Sequence, residues 1–164
     1  MTADHRYTSD QCACKTASTD EPFLLDRTLT YRVHVLNKLM ELESQHEFQR
    51  RLGMSPGDAR CLVTVASFEP LSIKDLAEQS NLTKGQASRA AQALVNRGLL
   101  HKDGNSEDGR GVVLTLTEQG GLANQSVIDF IRERNHRIFG CFSPQEQTQF
   151  SMLLDRLIQH NRPV

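Results

Sequence analysis

The chain has 164 residues, 38% hydrophobic and 24% charged, with a formal net charge of −1. This fits one compact domain, or a small lobe on a helical platform, with enough apolar material for a core. The near-neutral balance argues against an indiscriminate nucleic-acid coater and leaves room for local basic patches.

No apolar run approaches the roughly 18 residues of a membrane helix. The N-terminal stretch lacks the hydrophobic segment of a secretory signal. The expectation is a cytoplasmic chain with no membrane partner. Its four cysteines, Cys12, Cys14, Cys61 and Cys141, are then read as free thiols. Cys12 and Cys14 have no second pair at metal-like spacing, so neither a metal nor a cofactor is expected.

In chain order, residues 1–21 are rich in Ser, Thr, Asp and Lys and read as a mobile tail. A long helix is predicted over 22–54, starting at Pro22. Leu25, Leu29, Val33, Leu36 and Met40 form one apolar stripe along it, and Gly53 stops it. A second stripe, Arg27, Tyr31, His34 and Lys38, suits a small anion at the edge of a cavity. The alternative has Tyr31 packed at a rim, His34 hydrogen-bonded, and Arg27 and Lys38 in solvent.

Four helix starts are announced by a hydroxyl three residues before an acid or amide: Ser55/Asp58, Ser72/Asp75, Thr83/Gln86 and Ser143/Glu146. Pro56 and Pro144 occupy the first helical position, where a missing N–H costs nothing. The helix from Ser55 is expected to bury Ala59, Leu62, Val63 and Ala66, and Phe68-Glu69-Pro70 ends it. Past Thr117, a helix with Leu122, Val127, Phe130, Ile131 and Ile138 is expected, with Gly120 and Gly121 loosening its first turn. The last helix carries Phe150, Leu153, Leu154, Leu157 and Ile158. The first helix and the last two cannot all hide their apolar faces on one small lobe. A two-fold homodimer is therefore expected, with a monomeric bundle as the alternative.

Between them, residues 55–117 read as helix, turn, helix and β-hairpin. The class is mainly α with a small hairpin wing: a winged helix-turn-helix in a helical platform of about six helices. No acid lies between Glu78 and Asp103, while Lys84, Arg89, Arg97 and Lys102 are basic. Thr83, Lys84, Gly85, Gln86, Ser88 and Arg89 fall in the first two turns of the second helix. There Arg can reach guanine, Gln adenine, and Ser or Thr either bases or phosphates. Gly85, Ala87 and Ala90 are expected to let that helix sit deep in the major groove. Ala87, Ala91, Leu94 and Val95 are expected to pack on Leu76 and Ala77. Leu99-Leu100 and Val112–Leu116 flank a polar tip where Arg110 stands between Gly109 and Gly111. An arginine so placed suits a narrow minor groove, with Asp108 orienting it.

These residues resemble the MarR family of bacterial transcription regulators. The matching features are Leu76-Ala77 of the scaffold helix, the helix from Thr83, Arg97-Gly98-Leu99-Leu100, Asp108-x-Arg110, and Leu116-Thr117 followed by Gly120. With flanking helices the resemblance covers about residues 22–161. It implies a triangular homodimer with interlocked N- and C-terminal helices, residues 22–54 and 118–164. It also implies a repressor on a pseudo-palindromic operator, released by a small, often aromatic and acidic ligand. Thr83, Lys84, Gln86, Ser88 and Arg89 become major-groove contacts and Arg110 a minor-groove finger. The wing departs from the family: Ser106-Glu107-Asp108-Gly109-Arg110-Gly111 has no second basic residue beside Asp108, and Glu107 adds repulsion.

By the same resemblance, an effector pocket is expected from Arg27, Tyr31, His34 and Lys38, with Cys61 and Thr64 as walls, suiting a hydroxybenzoate or hydroxynicotinate. A rival reading makes Cys61 a redox switch. Neither a phosphate-binding Gly loop, a His-Glu-x-x-His nor a Gly-x-Ser-x-Gly motif occurs, so no enzyme is expected.

Overall fold

The computed structural model describes residues 24–104 and 112–162, without the side chains of 43–45. The N-terminal tail with Cys12 and Cys14, and the wing tip with Asp108 and Arg110, lie outside the described residues. Contacts divide the chain into two compact units between Asn37 and Lys38.

In the first unit a 3-10 turn, Leu25–Arg27, precedes α1 (Leu29–Leu52). The helix expected from Pro22 is therefore interrupted at Thr28, whose backbone is extended (φ −72°, ψ 140°). The Thr28 hydroxyl donates to the Leu25 carbonyl at 2.8 Å and accepts from the Tyr31 amide at 3.3 Å. A threonine able to satisfy an otherwise orphaned amide makes a good helix start, and it takes that role here. Arg27 consequently falls off the helical stripe to which its spacing assigned it. Leu25, Leu29, Val33 and Leu36 are all exposed, Leu29 at 78%.

In the second unit α1 ends at Gly53, in the left-handed region at φ +61°. Ser55 then starts α2 (Pro56–Phe68) with a complete capping box. Leu71–Ser72 forms a two-residue strand, β1, before α3 (Ile73–Gln79). Here the box is incomplete. The Ser72 hydroxyl accepts from the Asp75 amide at 3.2 Å, but Asp75 answers by accepting from that same hydroxyl at 2.7 Å. Ser72 also pairs with Val113 in the sheet. Thr83 opens α4 (Lys84–Asn96), again with a full box. Strands β2 (Leu100–Gly104) and β3 (Val112–Leu116) follow.

The sheet is antiparallel in the order β1-β3-β2, registered by Leu71 opposite Leu114 and by Leu100 opposite Leu116. The expected two-stranded hairpin is thus a three-stranded sheet. A two-residue strand carries no periodicity to read; it exists because Leu71 can lie beside buried Leu114.

Helix α2 sits at the centre of this unit, packed by α3, α4, α5 and β3. It buries Ala59, Cys61, Leu62, Thr64 and Val65, while Val63 and Ala66 are half-buried. The single face expected from periodicity is therefore widened and shifted, because neighbours enclose the helix on several sides.

Thr117 starts α5 (Glu118–Phe139). Its hydroxyl accepts from the Gly120 amide at 2.8 Å and donates to the Gly98 carbonyl at 2.7 Å. Gly120 does more than loosen the turn: a Cβ there would stand 2.0 Å from the Leu99 carbonyl oxygen. The glycine lets α5 approach the α4–β2 junction. Val127 and Phe130 are buried, with Phe130 edge-on to Phe48 at 4.6 Å between ring centres. Leu122, expected on the buried face, is 70% exposed.

The Arg51 guanidinium lies over the Phe130 ring at 4.8 Å and pairs with Glu133 at 2.8 Å, while Arg137 reaches Glu47 at 3.2 Å. Last, Ser143 caps α6 (Pro144–Asn161), none of whose residues is buried. Leu153, Leu157 and Ile158 are each about half exposed.

Candidate nucleic-acid interface

Two helices and a tight turn position the candidate face. Asn81 at φ 53° turns the chain between α3 and α4. The left-handed region is among those Asn tolerates better than most residues. Buried Leu76 and Ala77 of α3 pack in the same core as α4's Ala87, Ala90, Ala91 and Leu94. That set repeats at three, four and seven residues, one helical face. The opposite face is then fixed outward: Thr83, Lys84, Gly85, Gln86, Ser88 and Arg89 are all exposed.

Ala87 lies in the core at 0% exposure, as its expected packing on Leu76 and Ala77 requires, and Ala90 is there too at 6%, so the expectation that these two small residues let the helix into a groove is corrected. Gly85 alone of the three small residues is outward, with nothing within 4 Å of where a Cβ would stand. Gln86 has a second task. Its Oε1 accepts from both the amide and the hydroxyl of Thr83, each at 2.9 Å. Any base contact through that oxygen competes with the helix cap.

Of the four cations, Arg97 is turned elsewhere. Its Nη1 donates to the Gly53 carbonyl at 3.0 Å and its Nη2 to the Leu52 carbonyl at 3.5 Å, at the C-terminus of α1. Unpaired carbonyls and negative dipole charge make that terminus a good place for a cation. Lys102, exposed on β2, donates from Nζ to Gln92 Oε1 at 2.9 Å, and Gln92 Nε2 donates to Asn96 Oδ1 at 2.8 Å. Sequence reasoning named Lys102 but neither Gln92 nor Asn96. Their spacing of four was visible as a helical pair, but the strand that meets it was not.

The proposed ligand residues are distributed differently from the expected stripe. Arg27 ends the 3-10 turn, and Tyr31 and His34 are exposed on α1, all in the first unit. Lys38 is exposed farther along α1, in the second unit. Cys61 and Thr64 belong to the α2 core, where the Thr64 hydroxyl donates to the Arg60 carbonyl at 2.9 Å. Burial pushes the Cys61 thiol pKa up, against a smaller opposing effect of a hydrogen bond with Ser80. A reactive thiolate needs the reverse.

Among the described residues no group of His, Cys, Asp or Glu comes together so as to hold a metal ion. No described helix is long and apolar enough to cross a membrane.

A helix-turn-helix with alanines inward and polar or cationic groups outward, beside a three-stranded sheet, defines a winged helix-turn-helix DNA-binding protein. The sequence model of the MarR family matches residues 52–111. The regulator BilQ of Clostridium symbiosum is 22% identical over 81% of this chain and 92% of its own length. Two Bacillus subtilis relatives are matched over only 47% and 63% of theirs. A MarR/EmrR family transcriptional regulator from Acinetobacter sp. ADP1 superposes with a TM-score of 0.73 at 27% identity, covering 84% of this chain and 97% of that one. Bordetella bronchiseptica BpsR, whose DNA binding is regulated by 6-hydroxynicotinic acid, superposes at 0.74 with 16% identity, over 87% of this chain and 100% of that one. Over residues 52–111 the chain is thus similar to the MarR family, and its fold is that of a MarR/EmrR family transcriptional regulator.

Proposed function

We propose that this regulator is a cytoplasmic, homodimeric repressor that grips a pseudo-palindromic operator and lets go when a small aromatic acid binds. The observation that carries the DNA-reading half is the two-sided character of α4. Ala87, Ala90, Ala91 and Leu94 are buried, which commits Lys84, Ser88 and Arg89 to solvent. Thr83, Lys84, Gly85, Gln86, Ser88 and Arg89 read the major groove from residues 55–117. Lys102 takes a backbone phosphate. Arg110, oriented by Asp108, enters the minor groove.

Dimerisation through residues 22–54 and 118–164 is supported by α6, which buries nothing and leaves Met152, Leu153, Leu157 and Ile158 more than half exposed. An apolar stripe of that kind marks an interface. With two-fold symmetry it gives half-sites about one helical turn apart.

The effector reading rests on Tyr31, His34 and Lys38 along one helix, and on a fold shared with a regulator that responds to 6-hydroxynicotinic acid. Burial of Cys61 weighs against the redox alternative.

The test is selection of duplexes from a random-sequence library, followed by titration of the recovered duplex with 6-hydroxynicotinic acid and 4-hydroxybenzoate. A palindromic consensus and ligand-weakened binding are expected. Failure to recover any duplex removes the DNA reading. Indifference to every aromatic acid removes the effector reading alone.

A further inference from the structure

We infer that Gln92, locked by Asn96, positions the Lys102 ammonium as a phosphate contact where the wing meets the recognition helix. This rests on the DNA-reading assignment of α4.

Lys84, Ser88, Gln92 and Asn96 are spaced by four and so form one row along α4. The row begins at the outward cationic end and finishes beside β2. There Gln92 makes two bonds that fix its amide: Nε2 donates to Asn96 Oδ1 at 2.8 Å, and Oε1 accepts from Lys102 Nζ at 2.9 Å. Because Asn96 supplies an acceptor for the amide nitrogen, the Gln92 oxygen is the atom turned toward the lysine.

The choice of a neutral partner matters. A carboxylate at position 92 would hold the lysine equally well but cancel its charge. An amide oxygen holds it and leaves the charge intact. An ammonium has three donors; one is used here, which leaves two for phosphate oxygens. Lysine is a flexible point charge that ordinarily loses rotamer freedom when it binds. One already held in place loses less on meeting DNA.

The anchor is also firm on the strand side. Lys102 pairs opposite Leu114, which is fully buried in the centre of the sheet. The bracket therefore ties strand β2 to the recognition helix.

The experiment uses the full chain and the duplex recovered by selection, with affinity measured across a salt series. Each neutralised phosphate contributes about 0.9 to the slope of log K against log salt. Lys102→Ala is expected to lower the slope by about one and weaken binding about tenfold at low salt; Lys102→Arg keeps the slope. Gln92→Ala should weaken binding several-fold in the otherwise native chain and cause no further loss on top of Lys102→Ala. Gln92→Glu should lose about as much as Lys102→Ala. All three bracket side chains are exposed, so the variants should unfold at the native temperature. An unchanged slope in Lys102→Ala, with the native chain still binding, overturns this inference and the Lys102 phosphate contact it deepens, and leaves the DNA reading of α4 standing. A Gln92→Ala loss that adds in full to that of Lys102→Ala overturns this inference alone, since Gln92 would then act without the lysine. No duplex bound by the native chain overturns the DNA reading as well.

Discussion

Adjacent glycines at the start of α5 should respond to alanine with opposite signs. At Gly120 an added Cβ would stand 2.0 Å from the Leu99 carbonyl oxygen, 3.0 Å from the Leu99 carbonyl carbon and 3.0 Å from Leu116 Cδ2. A comfortable carbon–oxygen approach is about 3.3 Å or more, so the backbones must part by more than 1 Å. That carbonyl is not free to retreat, because it also accepts from the Thr117 amide at 3.2 Å. Overpacking ordinarily costs about 1–3 kcal/mol, and a clash with backbone belongs at the upper end, about 3 kcal/mol. For a chain of this size each kcal/mol moves Tm by about 2–4 °C, so Gly120→Ala should lower it by roughly 6–12 °C. At Gly121 nothing lies within 4 Å of the added carbon. Alanine there removes a helix penalty of about 0.5–1 kcal/mol, and Tm should rise by a few degrees. Thermal and urea unfolding at one fixed protomer concentration measure both, since dimerisation would otherwise shift the midpoint. A Gly120→Ala protein within about 1 kcal/mol of the native chain, or two variants shifted in the same direction, would refute the close-approach reading.

Arg97→Ala should cost about 1 kcal/mol of stability through the lost bonds to the α1 terminus. It should cost less DNA affinity than Arg89→Ala; a larger affinity loss would return Arg97 to the DNA face. Acid should weaken the link between α1 and α5. The Arg50 and Arg137 guanidinium groups hold the Glu47 carboxyl below its ordinary 4.5, and Arg51 does the same for Glu133. A depressed carboxyl stabilises the fold fully above about pH 4.5 and loses that contribution as pH falls through the lower, folded value. Urea midpoints between pH 7 and pH 3 should therefore fall less steeply in Glu47→Gln than in the native chain, and parallel curves would deny the pairing its role. Alkylation read by mass spectrometry should label Cys141, which is exposed, and spare Cys61 until the chain unfolds. Equal labelling of the two in the native state would contradict the buried placement.

Most helix starts were legible because their chemistry is local. A hydroxyl and an acid or side-chain amide three residues apart can satisfy each other's backbone N–H groups with no help from the rest of the chain, as Ser55, Thr83 and Ser143 do. Thr28 and Thr117 follow the same physics without the acid, so the pattern that finds a complete box passes them over. The outward face of α4 was legible too, since its buried residues repeat at helical spacing. What the sequence hid depends on partners remote in the chain. Ala90 looks like a small groove-facing residue until α4 packs into the α2–α3 core. Arg97 looks like a fourth DNA cation until the end of α1, more than forty residues earlier, is seen to take it. Glu69 looks like part of a terminating loop, yet its carboxylate accepts from the Leu116 amide at 2.6 Å and ties the end of β3 to the end of α2.

By itself, then, the sequence determined which segments are helical, where most of them begin, and which end of α4 carries cations. Each of those follows from groups within about one or two helical turns of one another, so neighbouring residues decide them. Only the tertiary structure decided which small residues are core and which cation caps a helix. It also decided why Gly120 has no side chain, and that Gln92 meets Lys102. Those depend on which surfaces, distant in sequence, are pressed together, and hydrophobic periodicity tells that a face is buried without telling against what.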